Sequence, residues 1–332
     1  MKLLFHSNIK LSSAQRQELQ AACPGIEVVE HRVIPPDNLE GAGVAILVSD
    51  GVPADPGRWP DLRWVQLLSA GANQLRNHRI WQTGIPITTA SGTHGVPIAQ
   101  YVTCTWLMMM HRMPELLEFK RSRTWPDRVA LGGSTVRGLT AGIIGYGSIG
   151  RECARQLAAL GMEVLCLKRD PASRTDLDYN AWPGTGDPQG LIPAAWFGPN
   201  QLQEMLPRCD LVVVTAPSTP ATLGMMGPAA FARMKKNARL IVVSRGELVD
   251  EAALAAALRA GQIAEAVVDC YVREPLPPDH PYFDVPNLIM TPHMSGVYDA
   301  FGPAMITLIA ENLRRFHQGL PLLNRTDSQR GY

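Results

Sequence analysis

The stretch that decides the fold is Leu139-Thr-Ala-Gly-Ile-Ile-Gly-Tyr-Gly-Ser-Ile-Gly150. Its first half is an apolar run typical of a buried parallel strand, and a helix is predicted to begin at about Ser148. Three glycines at this spacing between a strand and a helix are typical of a turn that holds the pyrophosphate of a dinucleotide. The alternative is an ordinary glycine-rich turn. The residues predicted to contact the cofactor here are Gly145, Gly147, Ser148, Ile149 and Gly150.

Apolar runs alternate with helical patterns on both sides of this stretch, which indicates a parallel α/β architecture. Strands are predicted at Lys2–His6, Glu27–Glu30, Val44–Val48, Trp64–Leu68, Ile87–Thr89, Leu139–Ile144, Glu163–Leu167, Leu211–Thr215, Leu240–Ser244, Ala266–Cys270 and Leu288–Met290. Helices are predicted from Ser12 or Ser13 to about Ala22, and over Pro97–Phe119, Asp250–Ala260 and Tyr298–His317. The segment Pro171–Pro199 is rich in Pro, Gly and Asp, and is predicted to be a long loop, either functional or a solvated excursion.

The composition narrows the class of protein. The chain has 332 residues, enough for roughly two domains. Lys plus Arg is 31 and Asp plus Glu is 30, which argues against a nucleic-acid or membrane-surface partner. The six cysteines form no Cys-x-x-Cys pair and none lies beside a His at metal spacing. We therefore predict no metal site, a reducing compartment and, because no secretory or membrane-spanning stretch is found, a cytoplasmic protein.

The residues after the second strand of the glycine-rich unit bear on cofactor choice. An acidic residue at the end of this strand would bind the ribose of NAD(H), but Lys168 and Arg169 stand there instead. Because these cations would attract a 2′-phosphate, the sequence predicts a preference for NADP(H), with NAD(H) possible. The alternative is that both charges are merely solvated and that Asp170 binds the ribose of NAD(H).

Three charged residues follow late predicted strands, at the edge where open α/β sheets bind ligands. Arg245 would bind the carboxylate of a 2-oxo acid and polarise its ketone, and His293 would donate a proton to the ketone oxygen. Glu274 would orient the imidazole and stabilise its charged form. Each residue on its own has a structural alternative. Arg245 would then be a helix-cap arginine, Glu274 a surface residue and His293 a buried structural histidine.

Together these residues resemble the D-isomer-specific 2-hydroxyacid dehydrogenases, over nearly the whole chain. The motifs that carry the resemblance are Gly145–Gly150, Ser244-Arg-Gly-Glu-Leu-Val-Asp250, Glu274-Pro-Leu-Pro and Thr291-Pro-His293. Lys168-Arg169 resembles the glyoxylate and hydroxypyruvate reductase branch. The resemblance implies that Arg245, Glu274 and His293 are the catalytic residues. It also implies a doubly wound Rossmann domain, about 97–298, inserted in a smaller flavodoxin-like α/β substrate domain, about 1–96 and 299–332, and a homodimer.

Further site residues follow from the same resemblance. Backbone N–H groups of Ala70, Gly71 and Ala72, in the loop after the fourth predicted strand, would form an anion nest for the substrate carboxylate, unless this is a simple glycine turn. Cofactor contacts are implied for Ala216, Pro217, Thr222, Ser244 and Asp269. Gln100 and Val242 depart from the residues common in the family, so the identity of the oxo acid stays open.

The predicted function is reduction of a small 2-oxo acid to the D-2-hydroxy acid by NADPH, with His293 as general acid. Two alternatives remain at this point. One is a dehydrogenase of another small anion such as phosphite, and the other is a cofactor-sensing binding protein like the C-terminal-binding corepressors.

Overall fold

The structure is a computed structural model that describes residues 1–31, 37, 39–176, 178–299 and 301–327. Its strands are β1 (Lys2–His6), β2 (Glu27–His31), β3 (Val44–Ser49), β4 (Trp64–Leu67), β5 (Ile87–Thr88), β6 (Thr140–Ile144), β7 (Glu163–Leu167), β8 (Ala195–Phe197), β9 (Leu211–Val214), β10 (Arg239–Val242), β11 (Glu265–Val268) and β12 (Leu288–Met290). Its α-helices are α1 (Ser13–Ala22), α2 (Gly95–Met110), α3 (Met113–Ser122), α4 (Ser148–Ala159), α5 (Leu202–Met205), α6 (Pro228–Arg233), α7 (Glu251–Arg259) and α8 (Phe301–Gln318).

The chain divides into two compact units. The first unit comprises Met1–His94, Asp178–Pro183 and Tyr298–Tyr332, and the second comprises Gly95–Leu177 and Gly184–Val297. The first unit holds a five-stranded parallel sheet in the order β2-β1-β3-β4-β5, which is the flavodoxin-like order. Apolar clusters cover both faces of this sheet, and helices α1 and α8 contribute Leu19 and Ile306 to one of them.

The second unit holds a seven-stranded parallel sheet in the order β12-β11-β10-β9-β6-β7-β8. Its strands read as continuous apolar runs because both faces are buried: Val212 and Val214 of β9 pack on one side, whereas Val213 packs on the other. The direction of winding reverses between β6 and β9, and ligands of such sheets bind at this switch point. The predicted α/β class, with a Rossmann sheet and a flavodoxin-like sheet, is confirmed.

The predicted helix Pro97–Phe119 is wrong as a single helix. Helix α2 ends at Met110, and α3 begins again at Met113. Arg112 adopts a left-handed backbone with φ of 53°, and Pro114 lies in the first turn of α3. Since a proline inside a helix removes a backbone donor and clashes with the preceding turn, the helix breaks just before it. Pro114 was the available sequence signal.

The segment Pro171–Pro199 is not a plain loop. Its end forms β8, which pairs with β7 in the register Cys166 to Trp196 and extends the Rossmann sheet by one strand. A three-residue strand between Pro193 and Gly198 is too short to stand out as an apolar run. The part Asp178–Pro183 belongs to the first unit, where the Ala181 N–H donates to Gly92 O at 3.1 Å and Trp182 Nε1 donates to Thr93 O at 2.8 Å.

The cysteines and the lengths of the apolar helices bear on the expectations drawn from the composition. All six cysteines are free thiols, and five of them are buried. No described helix combines the length and the apolar character that crossing a lipid bilayer requires.

Candidate functional site

The glycine-rich turn after β6 has the geometry that a pyrophosphate needs. Gly145 adopts φ of 97°, and a Cβ placed on it would lie 2.5 Å from the backbone N of Ala216. A Cβ on Gly150 would lie 2.1 Å from Gly145 O, so these two positions admit only glycine. A Cβ on Gly147 would meet nothing within 4 Å. The packing of the protein therefore does not require glycine at position 147. The open space beside Gly147 would let a ligand approach the backbone.

Helix α4 begins directly at this turn. Gly147 is its N-cap residue, and no side chain caps the first turn, which leaves backbone N–H groups of Ser148 and Ile149 available to an anion. Thr215, which follows β9, donates from Oγ1 to Gly145 O at 2.6 Å and so ties the turn to the neighbouring strand end. The residues present therefore fit a dinucleotide phosphate.

The end of β7 carries the residues predicted to select the cofactor. Lys168 Nζ donates to Ser173 O at 2.5 Å, and burial together with the nearby Arg151 charge lowers the pKa of this lysine. Arg169 is exposed next to it. Asp170 Oδ1 accepts from the Ala172 N–H at 3.1 Å, so this carboxylate caps its own turn.

The loop after β9 and the end of β10 complete the candidate cofactor region. Ala216 is buried whereas Pro217 is exposed, and Thr222 Oγ1 closes the loop by donating to Pro217 O at 2.7 Å. Ser244 is buried, and its Oγ finds no hydrogen-bond partner among the described residues. A buried hydroxyl without a partner is unfavourable unless a ligand or water supplies one.

His293 and Glu274 form a hydrogen-bonded pair beyond β11 and β12. His293 Nδ1 lies 2.7 Å from Glu274 Oε2, and Glu274 Oε1 accepts from the Tyr271 N–H at 2.9 Å. Because Nδ1 faces the carboxylate, Nε2 is the ring atom that can exchange a proton with a substrate. The side chains are 42% and 36% exposed, so the pair is accessible to one.

Asp269 fixes the backbone that presents His293. It is fully buried, and its carboxylate accepts from Thr291 Oγ1 at 2.5 Å and from the N–H groups of Met294 at 2.8 Å and Ser295 at 2.9 Å. His293 itself adopts φ of 55°, a costly backbone for a non-glycine residue that persists where the surroundings enforce it. In the structure, Asp269, predicted as a cofactor contact, therefore holds the loop that carries His293. No local sequence pattern predicts these contacts, since they join residues that are distant in the chain.

Arg245 is the third residue after β10, the strand that neighbours β11. Its Nη1 donates to Ser244 O at 2.7 Å. Burial raises the pKa of the Cys270 thiol most strongly, and the negative charges of Asp269 and Glu274 raise it further. The positive charge of Arg245 lowers this pKa. Arg245 and Glu274 thus both act on one thiol at this end of the sheet. Sequence reasoning missed Cys270 as a neighbour of the predicted catalytic residues.

The predicted carboxylate loop lies in the first unit, after β4. Ser69 Oγ donates to Gly71 O at 2.7 Å and accepts from Gln74 Nε2 at 2.8 Å, which shapes the turn. Ala72 is buried, whereas Ala70 and Gly71 are half-buried. None of the hydrogen bonds found in the described ranges uses the N–H groups of Ala70, Gly71 or Ala72.

Comparison with known proteins places this arrangement in a family. Residues 104–295 match the D-isomer specific 2-hydroxyacid dehydrogenase, NAD binding domain. The chain is 33% identical to (S)-sulfolactate dehydrogenase of Chromohalobacter salexigens over 284 residues, 83% of this chain and 85% of the relative. It is 30% identical to glyoxylate reductase/hydroxypyruvate reductase of Mus musculus over 256 residues, 76% of this chain and 73% of the relative.

Solved structures agree. A D-isomer specific 2-hydroxyacid dehydrogenase from Xanthobacter autotrophicus Py2, in complex with NADPH and MES, superposes with a TM-score of 0.82 at 29% identity. The likeness covers 100% of this chain and 99% of that one. The protein is thus an NAD(P)-dependent oxidoreductase, and it belongs to the D-isomer specific 2-hydroxyacid dehydrogenases. The resemblance seen in the sequence is confirmed.

Proposed function

We propose that this enzyme reduces a small 2-oxo acid to the D-2-hydroxy acid with NADPH, and that His293 is the general acid. The hydrogen bond of 2.7 Å between His293 Nδ1 and Glu274 Oε2 carries this proposal, because it assigns Nε2 as the proton donor. The pair lies at the end of the sheet that also bears the glycine-rich turn. The glyoxylate reductase/hydroxypyruvate reductase relative supports an oxo-acid substrate.

The chain's own residues divide the work as follows. Arg245 binds the substrate carboxylate and polarises the ketone through charge-assisted hydrogen bonds. The cofactor supplies a hydride to the ketone carbon when bound. His293 Nε2 gives its proton to the ketone oxygen, and Glu274 holds the ring so that this atom faces the substrate. Ala70, Gly71 and Ala72, in the loop after β4, stay the predicted contacts for the substrate carboxylate.

A panel of 2-oxo acids tests this function. Glyoxylate, hydroxypyruvate, branched and aromatic oxo acids should be offered with NADPH and followed by its absorbance, with (S)-sulfolactate offered in the oxidative direction. Turnover of at least one oxo acid is expected. Oxidation of phosphite without turnover of any oxo acid would replace the proposal, and so would cofactor binding with no turnover at all.

The preference for NADPH rests on Lys168 and Arg169. Arg169 is exposed beside Lys168 after the end of β7, and we propose that its guanidinium meets the 2′-phosphate. A D-isomer specific 2-hydroxyacid dehydrogenase from Xanthobacter autotrophicus Py2 was solved in complex with NADPH, which supports NADPH as the cofactor.

The Arg169→Ala variant should raise the KM for NADPH by about tenfold or more, since one charge-assisted hydrogen bond is worth about 1.5–3 kcal/mol. The KM for NADH should stay nearly unchanged, as NADH lacks the phosphate. Steady-state kinetics with both cofactors measures this, with Asp170→Asn as the matched control. A loss confined to NADH in Asp170→Asn, with Arg169→Ala unaffected, would establish the ribose-binding alternative instead.

For Arg245→Ala we expect kcat/KM to fall by about 10- to 100-fold, because at least one charge-assisted bond to substrate is lost. Both a higher KM and a lower kcat are expected, since the guanidinium would act on the bound acid and on the transition state. Arg273→Ala is the matched control, because Arg273 is an exposed arginine next to Glu274. Equal kinetics in the two variants would remove Arg245 from the mechanism.

We propose that the first unit is the substrate domain, that the second is the cofactor domain, and that the enzyme is a homodimer. An exposed apolar set on and after α3 supports a second copy of the chain as partner of the second unit. Its members are Leu117, Phe119, Trp125 and Val129. Light scattering on the purified protein should therefore give twice the chain mass of 36.2 kDa, and a value equal to one chain would contradict the dimer.

A further inference from the structure

The neighbour that sequence reasoning missed, Cys270, shares a cluster with the proposed proton donor. Cys270, Glu274 and His293 each offer one ligand atom, and these three atoms lie within 4.8 Å of one another. Within the described ranges, this is the one group of three such side chains that meets this distance. We propose that Cys270, Glu274 and His293 form a binding site for Zn²⁺, and that zinc bound there inhibits the enzyme.

The ligand set has the chemistry that zinc selects. Zn²⁺ binds thiolate sulfur, imidazole nitrogen and carboxylate oxygen, and three protein ligands with one water complete a tetrahedral site. With bonds of about 2.0–2.3 Å, tetrahedral ligand atoms lie about 3.6 Å apart. Since the three atoms already lie within 4.8 Å, closure requires small side-chain movements.

The three side chains differ in burial in a way that lets an ion enter the cluster from solvent. Cys270 is 1% exposed and forms the inner side of the cluster, whereas the Glu274 and His293 side chains are 36% and 42% exposed. An ion can therefore reach the two exposed ligands from solvent and take the sulfur as its inner ligand. The exposed side chains have the freedom to adjust their distances.

The backbone that carries the ligands is already fixed. Asp269, next to Cys270 in the chain, accepts hydrogen bonds from Thr291, Met294 and Ser295, on both sides of His293. The Tyr271 N–H holds Glu274 Oε1 at 2.9 Å. The two segments are thus joined before any ion binds, and less conformational freedom is lost on binding.

Inhibition follows from the proposed function, on which this part of the inference rests. When zinc binds, the Cys270 S–H bond breaks, the sulfur coordinates the ion and the proton leaves to solvent. An imidazole with zinc on one nitrogen and a proton on the other cannot take up a second proton, so His293 no longer alternates between its charged and neutral forms. Glu274, engaged by the ion, no longer orients the ring.

The test uses the purified full chain and Zn²⁺ itself, with two readouts. Calorimetric titration measures zinc binding, and replacement by Co²⁺ gives a thiolate-to-cobalt charge-transfer band that only a sulfur ligand produces. In parallel, the zinc concentration for half-inhibition is measured with NADPH and a reducible oxo acid, and a chelator should restore activity.

Cys270→Val is the decisive variant. Its turnover without zinc should stay within about twofold of the parent, the cobalt band should vanish, and half-inhibition should need about tenfold more zinc or beyond. Cys104→Ser, at an exposed cysteine, and His280→Gln, at the Glu251–His280 pair that lacks a cysteine, should behave like the parent. If Cys270→Val does not fold, Cys270→Ser replaces it, and the loss of the cobalt band is read there.

No zinc binding, or equal binding and inhibition in Cys270→Val and the parent, would overturn the proposal. If no oxo acid is reduced, the proposed function fails, yet calorimetry and the cobalt band still decide whether the zinc site exists.

Discussion

The His293→Asn variant should lose about 10²–10⁴-fold in kcat, because general acid catalysis by a positioned side chain typically contributes that much. Asparagine is the suitable replacement for two reasons. It tolerates the left-handed backbone that His293 adopts at φ of 55°, and its amide can still donate to Glu274. The loop should therefore keep its shape while the proton donor is lost.

Pre-steady-state reduction with saturating NADPH and oxo acid measures this loss at the chemical step, and fluorescence titration of NADPH should give an unchanged Kd. His280→Asn is the matched control. His280 Nε2 lies 3.2 Å from Glu251 Oε2, so it forms a second histidine–glutamate pair in the same unit without a proposed catalytic role. Retention of more than about a tenth of the parent kcat in His293→Asn would refute its role as general acid.

The features that the sequence predicted correctly depend on local chemistry. Gly145 must adopt positive φ, and Gly150 must leave room for Gly145 O, so their spacing between a strand and a helix is visible in any sequence that forms this turn. Buried parallel strands are equally readable, since Val212, Val213 and Val214 face apolar layers on both sides.

The features that the sequence did not reveal depend on contacts between distant segments. Cys270 reads as one more residue of an apolar run, and only the fold brings it to His293. Likewise, Arg151 follows the third glycine of the turn as an ordinary charged helix residue, yet it is 2% exposed. Its hydrogen-bond partners lie in Pro171–Pro199, whose composition predicts a long loop, either functional or a solvated excursion.

Arg151 organises that segment from inside. Its Nε donates to Asp176 Oδ2 at 2.9 Å, its Nη2 donates to Arg174 O at 2.7 Å, and its Nη1 donates to Asp187 O. The guanidinium also lies 4.8 Å from the ring centre of Tyr146, whose hydroxyl donates to Asp187 Oδ2 at 2.8 Å. One side chain thus satisfies acceptors from three points of the segment, two of them backbone carbonyls.

For Arg151→Met we therefore expect a loss of about 3 kcal/mol in the free energy of unfolding, at the lower end of the range for removing one partner of a buried pair. The lower end applies because Asp176 is 19% exposed and can regain water. Methionine keeps most of the apolar volume, so the loss reports the hydrogen bonds rather than a cavity.

Hydrogen exchange locates the effect as well as measuring it: protection should fall at residues 174–176 and 184–192, while the strands β9 and β10 keep theirs. Arg121→Met is the control, because Arg121 on α3 is 84% exposed and its pair with Glu118 should contribute at most about 1 kcal/mol. If Arg151→Met unfolded at the same denaturant concentration as Arg121→Met, with the segment still protected, the order of Pro171–Pro199 would have to come from its own turns and from β8 rather than from the buried guanidinium.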